Sequence, residues 1–541
     1  MQKMSQWDTP YGLRRIPTFA KNVVATTQPL AAQAGLHMLR QGGNAVDAII
    51  ATAAALTIVE PVSCGLGSDG FAMVWDGGRI YGLNASGRSP GATKIDKFRG
   101  FNAVPEWGWD SVTVPGVVSG WMALSKKFGR LPFAKLFEPA IGYAKDGYLV
   151  TPTIARMWRG LKSVYASYPD VLNLYFSDGT TPEPGALVRF PHNAQTLEII
   201  AETDGEDFYH GDLAEQIARY AKEGGGLLSR EDLETHCADW VEPLKVKYRD
   251  VELYELPPNG QGLAALIALG ILEHFELSSF PLGSADSMHI QIEAMRLGFA
   301  DVYRHIADPA AMHLNARVFL DPAYLKKRAG EIDLSHARIP STGYPVDGGT
   351  TYVAAADADG MMVSYIQSSG RGFGSGMAVP NTGIALQCRG RSFSLDPTHS
   401  NLLGPRKRPF HTNIPAMVLR DGRPFACFGL MGWNMQPQGH VQFLTRLVDY
   451  HENPQAALEG RRWRVAMDEP AILLEEGTPS EIAAALAGRG HRIINIEPTF
   501  GAASTPFGNQ LSFGAAQMIY VLDHGYIAAS DPRRDGQAVG F

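Results

Sequence analysis

The apolar positions of the chain change period several times before residue 305. Gln28 to Gln41 is rich in Ala and Leu and closes on Gly42-Gly43, which predicts a helix. Asn44 follows at an N-cap position with Asp47 three residues on, the pair that makes a capping box. Ala45 to Ile58 is then apolar on nearly every face, the pattern of a helix buried between layers. Phe71 to Trp75 and Arg79 to Leu83 flank Asp76-Gly77-Gly78 as the strands of a hairpin would. From about Val117 to His274 the pattern is mostly helical, with helices near 120–128, 133–146, 194–201, 213–222 and 262–274. Ser284 opens a long amphipathic helix to His305, with Asp286 in its first turn.

The sharpest change lies near residues 349 and 350. Pro340 to Gly349 is a turn-rich connector, and it separates a segment 1–349 from a segment 350–541. Thr350 to Ala356, Asp357 to Gly360 and Met361 to Ile366 then read as a strand, a tight turn and a returning strand. Beyond it short strands alternate with a few helices, at 441–450 and 480–487.

Length and composition add bounds. A chain of 541 residues suits two or three ordinary domains, or one large core with additions. Hydrophobic residues at 45% and charged residues at 19% mark a globular chain. The net charge of −7 gives no reason to expect nucleic acid or an anionic membrane as partner. Four cysteines without a CxxC pair exclude a disulfide scaffold or zinc ribbon and suit a reducing compartment. The first nineteen residues lack an apolar signal core and no apolar run reaches the ~18 residues of a membrane span, so a cytoplasmic location is expected.

Several short motifs fail on context. Gly65 to Gly70 matches the dinucleotide fingerprint in spelling, but a buried helix precedes it and a strand follows, the reverse of what pyrophosphate binding needs. Gly87-Arg88-Ser89-Pro90-Gly91 matches a nucleophile elbow, yet Pro90 has no N–H to offer an oxyanion. His411 and His440 stand as single histidines, weak grounds for a metal, and Arg406-Lys407-Arg408 between two prolines reads as a solvated loop.

Thr350 carries more chemistry. Cutting the bond between Gly349 and Thr350 would give one residue both a hydroxyl nucleophile and a free α-amine, whose pKa near ~7.7–8.0 suits a general base. Gly349 leaves room for the Thr350 hydroxyl to attack its carbonyl, so an N→O acyl shift followed by hydrolysis is sterically feasible. A two-residue turn at 358–359 or 359–360 sets Thr350 opposite Gln367 or Ser369, with Ser368 between those registers.

Gly43-Asn44-Ala45-Val46-Asp47-Ala48, Val59-Glu60-Pro61 with Gly65 to Phe71, Gly349-Thr350-Thr351 with Asp357 to Gly360, Phe373-Gly374-Ser375-Gly376, Lys407-Arg408-Pro409 and Ser530-Asp531-Pro532-Arg533 resemble the gamma-glutamyltransferase family. They run in the family's order over roughly residues 17 to 541. The resemblance implies an N-terminal-nucleophile hydrolase of α+β class, a four-layer αββα sandwich. One chain would cut itself into fragments 1–349 and 350–541, which stay associated as one core and leave further oligomerisation open. It implies Thr350 as cleavage site and nucleophile, Thr351 as its neighbour, Ser368 as the hydroxyl that steadies it, and the amides of Gly432 and Trp433 as oxyanion hole. The reaction needs no metal or organic cofactor, only an amide substrate and water or an amine acceptor.

Substrate-recognition positions depart from the family pattern. Ser86 replaces the arginine that grips the glutamate carboxylate, with Arg88 two residues on as a candidate substitute. Ser392 aligns with the acid that holds the α-amine, Arg389 with a glutamine, Gly370 with an asparagine, and His411-Thr412 with a serine pair. The loop 394–403 is shorter than the family's lid, which implies a more open site. Losing an acid while gaining Arg389 and Arg391 suits an acyl group with a carboxylate and no ammonium. That pattern is similar to a divergent branch of cephalosporin acylase-like and oxamate amidohydrolase-like members. A true gamma-glutamyltransferase acting on glutathione and an unprocessed, non-catalytic binding or scaffold member are the alternatives.

Overall fold

The computed structural model describes residues 15–176, 179–338, 350–466, 470–495 and 513–541. Two seven-stranded antiparallel sheets organise it. The first runs, edge to edge, Gln537–Gly540, Val23–Thr26, Thr351–Ala356, Met362–Ser368, Asp69–Trp75, Ile80–Ala85 and Asp239–Val241. The second runs Thr18–Ala20, Gly525–Ser530, Ala516–Leu522, Arg423–Leu430, Ala416–Arg420, Val251–Glu255 and Leu244–Tyr248. In both sheets, strands from before residue 350 lie beside strands from after it.

Alternation along each strand sends side chains to two different cores. Tyr352, Ala354, Met362 and Ile366 of the first sheet meet Met417, Leu419, Cys427 and Ile519 of the second in one apolar cluster. Val353, Ala355, Val363 and Tyr365 point the other way, into a cluster with helices Pro29–Arg40, Ala45–Val59 and Val117–Phe128. Val418, Ala426, Phe428 and Met518 of the second sheet join helices Gly262–Leu272, Ala285–His305 and Met435–Val448 in a third. The strands Thr351–Ala356 and Met362–Ser368 are therefore buried on both faces.

The buried helix is as its sequence dictates: all of Ala45–Val59 is buried, and Asn44 and Asp47 close a capping box. Three expectations need correction. The stretch 117–274 is not mostly helical throughout, because Asp239–Val241, Leu244–Tyr248 and Val251–Glu255 are strands of the two sheets. Leu244–Tyr248 shows the strict alternation, Leu, Lys, Val, Lys, Tyr, of a sheet edge with one wet face. The Thr350 hairpin keeps a turn at Ala358-Asp359, where the Gly360 N–H donates to the Asp357 carbonyl at 3.1 Å, but Gly360 at φ 93° adds a third loop residue, so Ala356 pairs with Met362 and the register falls between the two expected. The Arg406–Arg408 loop is solvated only in part. Arg406 is exposed and paired with Glu231, whereas Arg408 is buried against Asp239 and donates from Nε to the carbonyl of Ser86 at 2.9 Å. Among the described residues no helix is long and apolar enough to cross a membrane. The connector Pro340 to Gly349 lies outside the described residues.

Asp47 does more than cap its helix. Its carboxylate accepts from the backbone N–H of Asn44 at 2.9 Å, of Arg130 at 3.1 Å and of Leu131 at 3.2 Å. Asp47→Ala should lower stability by about 2–4 kcal/mol, since it opens the capping box and strands three N–H donors, while Asn44 still caps the helix. A urea unfolding midpoint reads this out, and a loss under about 0.5 kcal/mol would contradict the role.

Candidate active site around Thr350

Thr350 stands at the end of the first sheet's central hairpin. Thr351 faces Gln367 in that hairpin, so the register sets Thr350 across from Ser368, and Ser368 in turn pairs with Asp69 on the next strand. The Thr350 hydroxyl has two acceptors for its one proton, Ser368 Oγ at 3.3 Å and Asn413 Oδ1 at 3.4 Å. Ser368 Oγ also accepts from the N–H of Gly370 at 2.9 Å, which fixes it at the strand end. Thr351 is turned away, its hydroxyl 3.4 Å from the carbonyl of Gln367. Thr350, Thr351 and Ser368 have no exposure in the uncut chain, so the open site expected from the short 394–403 loop is not seen there. Gly349, the other half of the expected cleavage bond, lies outside the described residues.

A second group closes on Thr350 from the loop His411–Asn413. Arg389 donates from Nη2 to Asn413 Oδ1 at 3.2 Å and from Nη1 to Thr412 Oγ1 at 2.9 Å. Its guanidinium is 1% exposed, and among the described residues no carboxylate lies within ion-pair distance and Nε has no partner. Burial lowers its pKa to about 10, with Asp69 opposing, so it keeps its charge at neutral pH. A buried cation without an ion pair is costly.

His411 serves the same loop. Its Nδ1 accepts from the N–H of Asn413 at 3.1 Å, so the proton sits on Nε2, 3.3 Å from Asp69 Oδ2. Burial, with Arg389 nearby, holds the ring pKa well below its ordinary value. Both nitrogens are committed, so His411 acts on Asn413 rather than reaching outward. Asp69 also accepts from the N–H groups of Gly87 at 3.1 Å and Gly116 at 3.3 Å, and burial raises its pKa to about 7.

The turn Gly432-Trp433 leads into helix Met435–Val448. Both residues lie in the left-handed region, Gly432 at φ 117° and Trp433 at φ 58°. Glycine accepts this freely, but for tryptophan it costs about 1–2 kcal/mol. Among the described residues neither N–H of this turn meets an acceptor, and both stand at the positive end of the helix. The Trp433 indole is buried with Arg391 stacked 4.7 Å from its ring centroid, and Arg391 is held by Glu106 at 2.9 Å.

The remaining expected residues are less central. Arg88 is paired with Asp239 at 3.1 Å, a carboxylate that also takes Arg408. Ser86 is buried, donating to Asn84 Oδ1 at 2.7 Å. Ser392 shares the short 3₁₀ turn Arg389–Ser392, and its carbonyl accepts from Asn401 at 2.6 Å. Asp69, Asn413 and Glu106 escaped the sequence reading, although Asp69 lies within the Gly65–Gly70 run and Asn413 directly follows His411-Thr412. Among the described residues one group, His289, Glu293 and His491, has metal-ligand types together. Its atoms are already used: His289 Nδ1 bonds His491 Nε2 at 2.7 Å, and Glu293 accepts from Arg296 and from the N–H of Arg338, each at 2.8 Å.

The His411 geometry has a direct readout. Its ring ¹⁵N signals should show a neutral Nε2–H tautomer that does not titrate between about pH 5 and 8. In Asp69→Asn the new amide N–H should face Nε2, force the proton to Nδ1 and break the bond from Asn413 N–H. A wild-type ring that titrates near its ordinary value of ~6.5 would contradict this arrangement.

A family model described as gamma-glutamyltranspeptidase matches residues 31–541. The chain is 36% identical over 532 residues to the glutathione hydrolase-like YwrD proenzyme of Bacillus subtilis, covering 96% of this chain and 98% of that one. It is 34% identical over 525 residues to the oxamate amidohydrolase proenzyme of Klebsiella pneumoniae, covering 95% and 97%. A cephalosporin acylase from Bacillus halodurans superposes with a TM-score of 0.92 at 42% identity, covering 99% of each chain. With a match of that extent, the chain belongs to the gamma-glutamyltranspeptidase family of hydrolase proenzymes.

Proposed function

We propose that the chain cuts itself between Gly349 and Thr350 and then hydrolyses, or transfers the acyl group of, a small amide that bears a carboxylate. The observation that carries this reading is Arg389, a buried guanidinium without an ion pair that is joined to the Thr350 hydroxyl through Asn413. A substrate carboxylate supplies the missing counter-charge in a bidentate fork. Ser392 offers no negative charge for an ammonium group, which disfavours an α-amino acid at this end. Oxamate, the amide in the Klebsiella relative's name, is such a carboxylate-bearing amide without an ammonium group, and the acylase neighbour supports an amide bond as target.

In the reaction, the α-amine of Thr350 takes the proton of Oγ1 as that oxygen bonds to the amide carbon. The N–H groups of Gly432 and Trp433 hold the oxyanion, and Ser368 and Asn413 hold Oγ1 on line. The amine returns the proton to the leaving nitrogen, the C–N bond breaks, and an ester to Thr350 remains. Water, deprotonated by the same amine, releases the carboxylic acid; an amine acceptor gives a new amide instead. The free α-amine does the work of a histidine base, so no cofactor enters. In the same reading the two sheets and their covering helices form a four-layer αββα sandwich. Fragments 1–349 and 350–541 build it jointly and stay together after the cut, because strands of both are interleaved in each sheet.

Thr350→Ala should leave one uncut band on a denaturing gel and no amidase activity. A T350A chain that still splits, or still cleaves amides, would refute the mechanism. Arg389→Met should lower kcat/KM on a glutaryl anilide by roughly 10–100-fold more than on a neutral butyryl anilide, the worth of one or two charge-assisted hydrogen bonds to the carboxylate. A wild-type enzyme preferring the γ-glutamyl anilide over the glutaryl one would favour a true gamma-glutamyltransferase.

A further inference from the structure

We infer that Gln261 is a positioning residue that ties the two walls of the site together, an inference that rests on the roles proposed for Thr350 and the Gly432-Trp433 turn. Gln261 is fully buried between strand Val251–Glu255 and helix Gly262–Leu272. Its Nε2 donates one proton to the carbonyl of Thr412 at 2.7 Å and the other to the carbonyl of Trp433 at 2.7 Å. The amide orientation is settled by these partners, because the flipped form would set Oε1 against two carbonyl oxygens. Oε1 is left buried without a partner among the described residues, so the side chain gives up its own acceptor bonds to make this bridge. The backbone joins in: Gln261 N–H donates to His411 at 3.0 Å, and His411 N–H donates to Asn259 at 2.9 Å.

The two carbonyls belong to loops with different tasks. Beyond Thr412 comes Asn413, whose Oδ1 receives both the Thr350 hydroxyl and Arg389. Trp433 carries one of the two N–H groups aimed at the oxyanion, and it does so in a left-handed conformation that a bulky residue leaves unless its surroundings hold it. Two strands, Ala416–Arg420 and Arg423–Leu430, separate these loops along the chain, so their spacing depends on side chains that bridge them. Gln261 bonds both with a single nitrogen. Without those donors Trp433 relaxes toward ordinary backbone angles, rotating the peptide that carries its N–H, and Asn413 is free to drift from Thr350.

Gln261→Met keeps the volume and removes the donors. In a Thr350→Ala background, which needs no activity, amide hydrogen exchange should quicken by roughly tenfold or more in segments 410–414 and 431–436 and stay unchanged in helix Gly262–Leu272. In the active enzyme kcat should fall by roughly 10–100-fold on a glutaryl anilide with KM within about twofold. In a Trp433→Gly background, where glycine accepts the left-handed turn, the same change should cost less than about threefold in kcat. Unchanged exchange at either loop, exchange that quickens along the helix as well, or equal losses in both backgrounds would overturn the inference. So would a Trp433→Gly enzyme without turnover, since that would make the indole the essential element. An inactive parent enzyme would instead overturn the Thr350 reading, while the exchange result still decides the role of Gln261.

Discussion

Antiparallel pairing of Thr351 with Gln367 is the constraint on which the geometry of the site depends. A slip of the first strand by one residue would exchange its two faces and bring Thr351, not Thr350, across from Ser368. Such a slip is blocked because neither face is free: Tyr352 and Ala354 are committed to the core between the sheets, Val353 and Ala355 to the helical core behind. Moving these four residues into the wrong core costs several kcal/mol in lost packing, far more than any preference of the loop at Asp357–Met361. The strand end is thus held by a core remote from it, and a hydroxyl and its partners can be kept in place without bonds of their own to spare.

Charge is handled less thriftily. Arg389, Asp69 and His411 are all buried, and the latter two are tilted toward their neutral forms by loss of water. Only Arg389 must stay charged, and its neighbours are a hydroxyl, an amide oxygen, the face of the Trp433 ring and, farther off, Asp69. A burial penalty of several kcal/mol is offset only in part by such partners, which leaves the pocket less stable than a hydrocarbon one of the same shape. Left-handed Trp433, whose ring centroid lies 5.8 Å from the Arg389 guanidinium, adds about 1–2 kcal/mol of strain. Penalties gathered around Thr350 fit a site kept for binding and chemistry rather than for stability.

Much of this was legible in the chain itself. The capped helix Ala45–Val59 and the existence of a hairpin after residue 350 follow from local rules that the tertiary structure had no reason to override, whereas the register that sets Ser368 across from Thr350 falls between the two expected. The strands at 239–255 were masked by the helical stretches on either side, although the alternation of Leu244–Tyr248 was visible. Arg408 illustrates a different limit: charge and flanking prolines describe a surface loop, and only the arrival of Asp239 from a distant strand makes burial affordable. Asp69, Asn413 and Gln261 share that limit, being ordinary polar residues whose meaning comes from partners 63 to 342 positions away along the chain. The same is true of Arg88, a candidate for the substrate by sequence proximity, whose ion pair with Asp239 could not be read from the chain.

The central claim is that a cut before Thr350 creates the nucleophile. Intact-mass analysis of the purified protein, rapidly acid-quenched during turnover of a glutaryl anilide, addresses it most directly. The account predicts a fragment that begins at Thr350 and ends at Phe541, plus a population of it heavier by one glutaryl group that maps to the Thr350 side chain. A fragment beginning at another residue, or an acyl group mapped to another side chain, would contradict it.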